Sequence, residues 1–169
     1  MGLFSESFNS FDDLFSHQLE DVYDAEEQLI DALPKMADAS TSSELKNAFN
    51  THLMETREHA RRLEQVFGML GKEPTRTSCP AMKGLVKEGS EVVSASGDGR
   101  VKDAGLIAAA QRVEHYEIAA YGTLRTLAQQ LGRDDVAKMF QKTLDEEGET
   151  DKKLTRIAMS GVNQQAMAH

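Results

Sequence analysis

The sequence predicts an all-α domain built on four long helices. Two observations carry this. Apolar residues recur near every 3.6 positions through four long segments, and three prolines with few β-branched runs leave little material for strands. A chain of 169 residues is long enough for one domain with its own core.

The elements follow in order. Helix one is expected from Ser7 or Ser10 to Ala39, with Phe11, Phe15, Val22, Leu29, Leu33 and Met36 on its apolar stripe and Pro34 as a kink or stop. Ser42 or Ser43 is placed to cap helix two, whose stripe of Leu45, Phe49, Leu53, Ala60, Leu63, Phe67 and Leu70 ends at Gly71. "GKEPTRTSCP" reads as a loop, and a short amphipathic helix spans about Ala81 to Ser94. Helix three is expected from about Val101 to Leu131 and stops at Gly132. Helix four runs from about Asp134 to Gly161, so the domain covers 1–162 and the polar residues 163–169 form a frayed tail.

Short loops join helices one to two and three to four, which makes each pair antiparallel. The long spacer between helices two and three can cross the length of a bundle. A four-helix bundle with one such crossover has the ferritin-like topology, and a simple up-down bundle is the alternative. Phe49 and Phe140, Leu53 and Leu144, and Glu26 and Glu117 all stand 91 apart, so the two hairpins echo one another.

The net charge of −9 argues against a nucleic-acid partner, which would need a basic patch, and suits attraction of cations. No apolar run is long enough for a membrane span. The amino terminus lacks a secretory pattern, and Glu6 stands where a myristoylation signal needs Ser or Thr. One cysteine, Cys79, excludes an intramolecular disulfide. The simplest compartment is the cytoplasm.

The chemistry lies in carboxylates that fall on the apolar stripes. Glu26 sits four after Val22 and three before Leu29, and Glu117 sits four after Val113 and four before Tyr121. In helix two, His52, Thr56 and His59 fall within the stripe and Glu55 at its edge. In helix four, Glu147 and Asp151 fall inside it. Glu114 lies on the flank, His115 and Glu146 point away, and Asp24 lies to the side or outside. No inward lysine or arginine is placed to neutralise the set. Buried like charges repel unless cations join them. An oxygen-rich set with imidazoles suits iron or manganese, and also zinc. The candidate metal residues are Glu26, Glu55, His59, Glu117, Glu147 and Asp151, with His52 and Glu114 as additional or supporting groups. The spacings Glu55-x-x-x-His59 and Glu147-x-x-x-Asp151 exceed by one the Glu-x-x-His of di-iron bundles.

The segments "DAEEQL", "HLMET", "CPAMKGL", "LIAAAQRVEHYEIAAYGTL" and "LDEE…TD..L" resemble the YciE/YciF family of ferritin-like bacterial stress proteins, over about Phe11 to Ala158. The resemblance implies a ferritin-like bundle, a homodimer and a dinuclear metal centre. Its matching positions are Glu26, His52, Glu55, Glu114, Glu117, Glu147 and Asp151. Two function classes stand side by side. One is a dinuclear iron or manganese protein that oxidises Fe(II) or consumes dioxygen or peroxide. The other is a non-catalytic homodimer with an acidic, hydrogen-bonded core.

Overall fold

The computed structural model describes residues 8–168. The myristoylation pattern at the amino terminus and the Ser7 start for the first helix lie outside that range. The elements are α1 (Phe11–Ala39), α2 (Ser43–Met69), α3 (Pro80–Ser94), α4 (Gly99–Gln130), α5 (Asp134–Ile157), a π-helical turn (Ala158–Val162) and α6 (Asn163–Met167). No strand occurs among the described residues.

Local chemistry sets the boundaries. Ser10 Oγ accepts from Asp13 N at 3.0 Å and Ser42 Oγ from Leu45 N at 3.3 Å, which starts α1 and α2. Gly71 and Gly132, both at φ +70°, end α2 and α4 in the left-handed conformation that glycine adopts without strain. The helix α1 runs through Pro34 without a break. Phe11 is 46% exposed, so the buried stripe begins at Phe15. The last helix departs from its expected course. After Ile157 the bonding widens to a π turn, with Asn163 N on Ala158 O. That turn swings Val162 into the core, and residues 163–167 continue as α6 against α4.

The helices pack in a ring: α1 beside α2, α2 beside α5, α5 beside α4, and α4 beside α1, with α3 laid over α1 and α4. Two hydrophobic clusters fix their directions. One joins Phe15 at the start of α1 to Phe67, Leu127 and Val136, at the end of α2, the end of α4 and the start of α5. The other joins Met36, Leu45, Leu106 and Ile157, at the opposite ends of the same helices. So α1 runs parallel to α5, and α2 parallel to α4. The loop and α3 carry the chain back along the bundle before α4 begins. This is the ferritin-like crossover arrangement; an up-down bundle would pair α2 with α4.

The crossover is tied down by polar contacts. Arg76 Nε and Nη2 reach Asp24 Oδ1 at 3.0 and 2.8 Å, and Asp24 Oδ2 accepts from Cys79 N at 2.8 Å. Asp24 is therefore buried, not on the outer side. At the other end Asp103, 2% exposed, accepts from Thr41 N, Thr41 Oγ1 and Ser42 N at 2.9, 2.6 and 2.8 Å, which clamps the α1–α2 turn onto α4.

Candidate metal centre

Between the two hydrophobic clusters lies a polar layer. Glu26 separates Val22 of one cluster from Leu29 of the other, and Glu117 separates Tyr121 from Val113. His52 and Thr56 sit between Phe49 and Ala60, and Glu147 sits between Phe140 and Leu154. The sequence thus interrupts each apolar stripe at one depth, and the ring of helices brings the interruptions together. Glu26, His52, His59, Glu114, Glu117 and Glu147 are each no more than 3% exposed.

Two metal-capable clusters result. In the first, one ligand atom each of His52, Glu114, Glu117 and Glu147 lies within 4.8 Å of the others. In the second, the same holds for Glu26, His59 and Glu147. Glu147 belongs to both. Its Oε1 is 2.9 Å from His59 Nδ1, and its Oε2 is 3.9 Å from His52 Nε2. His52 Nε2 is 3.3 Å from Glu114 Oε1, and His59 Nδ1 is 3.6 Å from Glu26 Oε1.

The inner atoms lack hydrogen bonds. Both oxygens of Glu117 and of Glu147, Oε2 of Glu26 and of Glu114, Nε2 of His52 and Nδ1 of His59 are buried without a hydrogen-bond partner. Native interiors leave few polar atoms in that condition. Eight on six side chains, all converging, fit a group that accepts lone pairs, as a cation does.

Each histidine is held from its outer side. His59 Nε2 lies 3.0 Å from Glu146 Oε2, which also takes Arg62 Nη1 at 2.8 Å. Arg62 Nη1 reaches Thr143 Oγ1 as well, and the guanidinium side chain is buried. His52 Nδ1 lies 3.4 Å from Glu55 Oε2 and 3.4 Å from Thr150 Oγ1. A proton on the outer nitrogen directs the inner lone pair into the cluster, the role carboxylates play behind metal-bound imidazoles. Glu55 and Glu146 are again 91 residues apart, so the hairpin echo extends to this pair.

The electrostatics follow from burial. Burial raises Glu26 from 4.5 to about 8, assisted by the charge of Glu147 and opposed by His59. Burial and then the charge of Glu147 hold Glu114 and Glu117 well above the usual carboxylate range. Burial pulls His59 down, but Glu147, Glu26 and Glu146 outweigh it and carry it from 6.5 up to about 9. Glu147 goes the other way: burial raises it, yet the two imidazoles bring it below 4.5. At neutral pH this favours the protonated forms of Glu26 and His59 beside an ionised Glu147, with Glu114 and Glu117 shifted in the same sense as Glu26.

The sequence expectations divide cleanly. Glu26, His59, Glu117 and Glu147 come together. His52 and Glu114, expected as supporting groups, line the first cluster. Glu114 does not stay on the flank, because α4 is covered by α1, α3 and α5 and buries an arc wider than one stripe. Glu55 and Asp151 lie outside both clusters. Glu55 is 42% exposed and stands behind His52. Asp151, one turn beyond Glu147, drifts toward α4 and accepts from Gln111 Nε2 at 3.0 Å, with His115 at 3.4 Å. Glu146 is not solvated outward; it faces α2. Arg62 is the inward cation absent from the expected set, and its place three residues after His59 is the signal that marks it.

Other expectations are settled around the layer. Tyr121, on the apolar stripe of α4, donates its hydroxyl to Glu26 Oε1. Added Cβ atoms on Gly122 and Gly148 meet open space, and Ala119 is exposed. Cys79 is buried, caps α3 through Met82 N at 3.4 Å and contacts Tyr116 Oη at 3.0 Å. Burial raises its thiol, which counts against a reactive thiolate.

Comparison with known proteins agrees with the fold. "Protein YciF" of Escherichia coli K12 is 47% identical over 161 residues, 95% of this chain and 97% of that one. The crystal structure of "the E.coli stress protein YciF" superposes with a TM-score of 0.89, over 92% of this chain and 99% of that one. Ferritin-like, diiron-carboxylate proteins from Bacillus anthracis Ames are 18% identical, with a TM-score of 0.66 over 89% of this chain and 99% of that one, a likeness of fold alone. The model of the family "Domain of unknown function (DUF892)" matches residues 10–167, and the chain belongs to that family, as its likeness to YciF agrees.

Proposed function

We propose that the protein is a dinuclear metal protein whose ions lie on either side of Glu147. The observation that carries this reading is the double membership of Glu147, with one oxygen turned to each histidine and neither hydrogen-bonded. His52, Glu114 and Glu117 would hold one ion, Glu26 and His59 the other, and Glu147 both. Oxygen-rich sites with one imidazole suit iron or manganese. Bound iron supplies reversible one-electron steps by which Fe(II) is oxidised and dioxygen or peroxide is reduced.

The chain's own groups prepare the place. Glu146 and Arg62 orient His59, and Glu55 with Thr150 orients His52. The protons on Glu26 and His59 leave when cations enter, so uptake releases acid. The hydrophobic clusters close the layer off along the bundle axis on both sides. The reading includes a homodimer, which the family resemblance implies and sedimentation of the purified protein tests, and a cytoplasmic location, which fractionation of the cells tests.

Protein purified without tags or chelators and loaded anaerobically with Fe(II) should hold two ions per chain, one per cluster, and consume dioxygen or peroxide. The alternative, an acidic core with a purely structural role, predicts neither binding nor consumption.

A further inference from the structure

A cavity of about 360 Å³ opens between α2 and α5 and ends on the metal layer. His52 and Glu114 form part of its floor. Both are buried, and His52 Nε2 and Glu114 Oε2 lack hydrogen bonds. The inner wall is apolar, from Ala48, Phe49 and Leu154. The size falls in the range that takes small molecules.

The charges at the mouth are unequal in their partners. The acids there are engaged. Glu146 holds His59 and Arg62, Glu55 faces His52, Asp145 accepts from Gln141 at 2.7 Å, and Glu149 pairs with Lys152 at 2.8 Å. Lys142 is matched to Glu146 at 3.9 Å. Lys153 and Arg156, which also line the cavity, touch no carboxylate within 4 Å among the described residues, although their charges reach Glu55 and Glu149 and lower those carboxyls. They stand one turn apart on α5, close enough to grip one small anion together.

From these features we infer that the cavity binds a small amphiphilic organic anion, such as a medium-chain carboxylate. Its charged head sits between Lys153 and Arg156. Its hydrocarbon lies along Phe49, Ala48 and Leu154 and stops short of His52 and Glu114. A cation in transit would use the acids instead, but those are already paired. The inference names a substrate or effector class for the centre proposed above and rests on that reading only for its purpose. The binding itself uses groups that need no metal.

The test is calorimetric titration of octanoate into the full chain, metal-free and metal-loaded, beside 1-octanol and octylamine. Octanoate is expected to bind both forms, at least about tenfold more tightly than either comparator, as charge-assisted contacts to two cations imply. Lys153→Met with Arg156→Met keeps the apolar stems and should weaken octanoate by about tenfold while leaving octanol unchanged. Ala48→Leu, checked for an unchanged melting temperature, should weaken octanoate and octanol alike by filling the wall. Absence of octanoate binding, equal binding of octanol, or indifference to both the charge and the filling variants would overturn the assignment. Metal content measured on the same samples separates the two readings. Octanoate bound by a protein that takes up no metal sinks the metal centre alone. Metal bound without octanoate sinks the cavity assignment alone.

Discussion

Glu146 takes a hydrogen bond from His59 Nε2 at 3.0 Å, although on its own helix it faces away from the apolar stripe. The bond keeps a proton on Nε2, so that it is Nδ1 that frees a lone pair toward Glu26 and Glu147 when a cation displaces its proton. Glu146→Leu removes it and leaves Arg62 buried with only Thr143. Affinity for one of the two ions should fall by about 10- to 100-fold with the other nearly unchanged, as loss of such outer partners costs elsewhere. Chelator competition reads both steps. Glu55→Gln should cost less, since Glu55 stands 3.4 Å from His52 and is 42% exposed. Equal, negligible effects of both changes would contradict the orienting role.

The protonated layer predicts an unusual pH dependence for the metal-free protein. Glu26, Glu114 and Glu117 have folded values above their ordinary 4.5, so the stability they contribute is full below that value and is lost as pH rises, for Glu26 through about 8. His59 acts in the same sense, from 6.5 to about 9. Glu147, with its value lowered, loses its contribution only as pH falls below 4.5. The melting temperature in chelator should therefore decline from about pH 5.5 to about pH 8.5. With metal the slope should reverse, because uptake releases protons. Parallel melting curves at the two pH values check both signs.

Gly148 and Gly122 lie in regular helix with open space where a Cβ would stand. Each alanine substitution should raise stability by about 0.5–1 kcal/mol, the cost of glycine in a helix interior. Urea unfolding measures this directly. A loss of stability in either variant would show that the space is needed.

Asp103 is the single acceptor for three donors of the α1–α2 turn. Asp103→Ala strands two backbone N–H groups and a hydroxyl, and should cost about 2–4 kcal/mol. The remote polar layer should keep its metal affinity. Denaturant unfolding combined with metal titration of the surviving folded protein separates the two effects.

Much of this architecture is legible in the sequence, because helical periodicity and caps are local. The four long helices and the inward placing of Glu26, Glu117 and Glu147 follow from stripes counted at 3.6 residues, and the long spacer allows the crossover beside an up-down bundle. The rest depends on neighbours. A stripe gives one direction per helix, but α4 is covered by α1, α3 and α5, so Glu114 is drawn in beside Glu117. Glu146 and Arg62 face each other across α2 and α5, a relation no single helix displays. Asp151 shares the face of Glu147 in projection, yet one further turn carries it to Gln111 and His115. The π turn at Ala158–Val162 adds a residue to the repeat, which is why a regular helix continued to Gly161 misplaces Val162.

The central claim is that two cations flank Glu147. A crystal of the full chain soaked in Fe(II) or Mn(II), with anomalous scattering recorded at the metal edge, tests it most directly. The account predicts two peaks, one against His52, Glu114 and Glu117 and one against Glu26 and His59, with Glu147 between them. No peak in the layer, or peaks only at carboxylates outside both clusters such as Glu55 and Asp151, would contradict it.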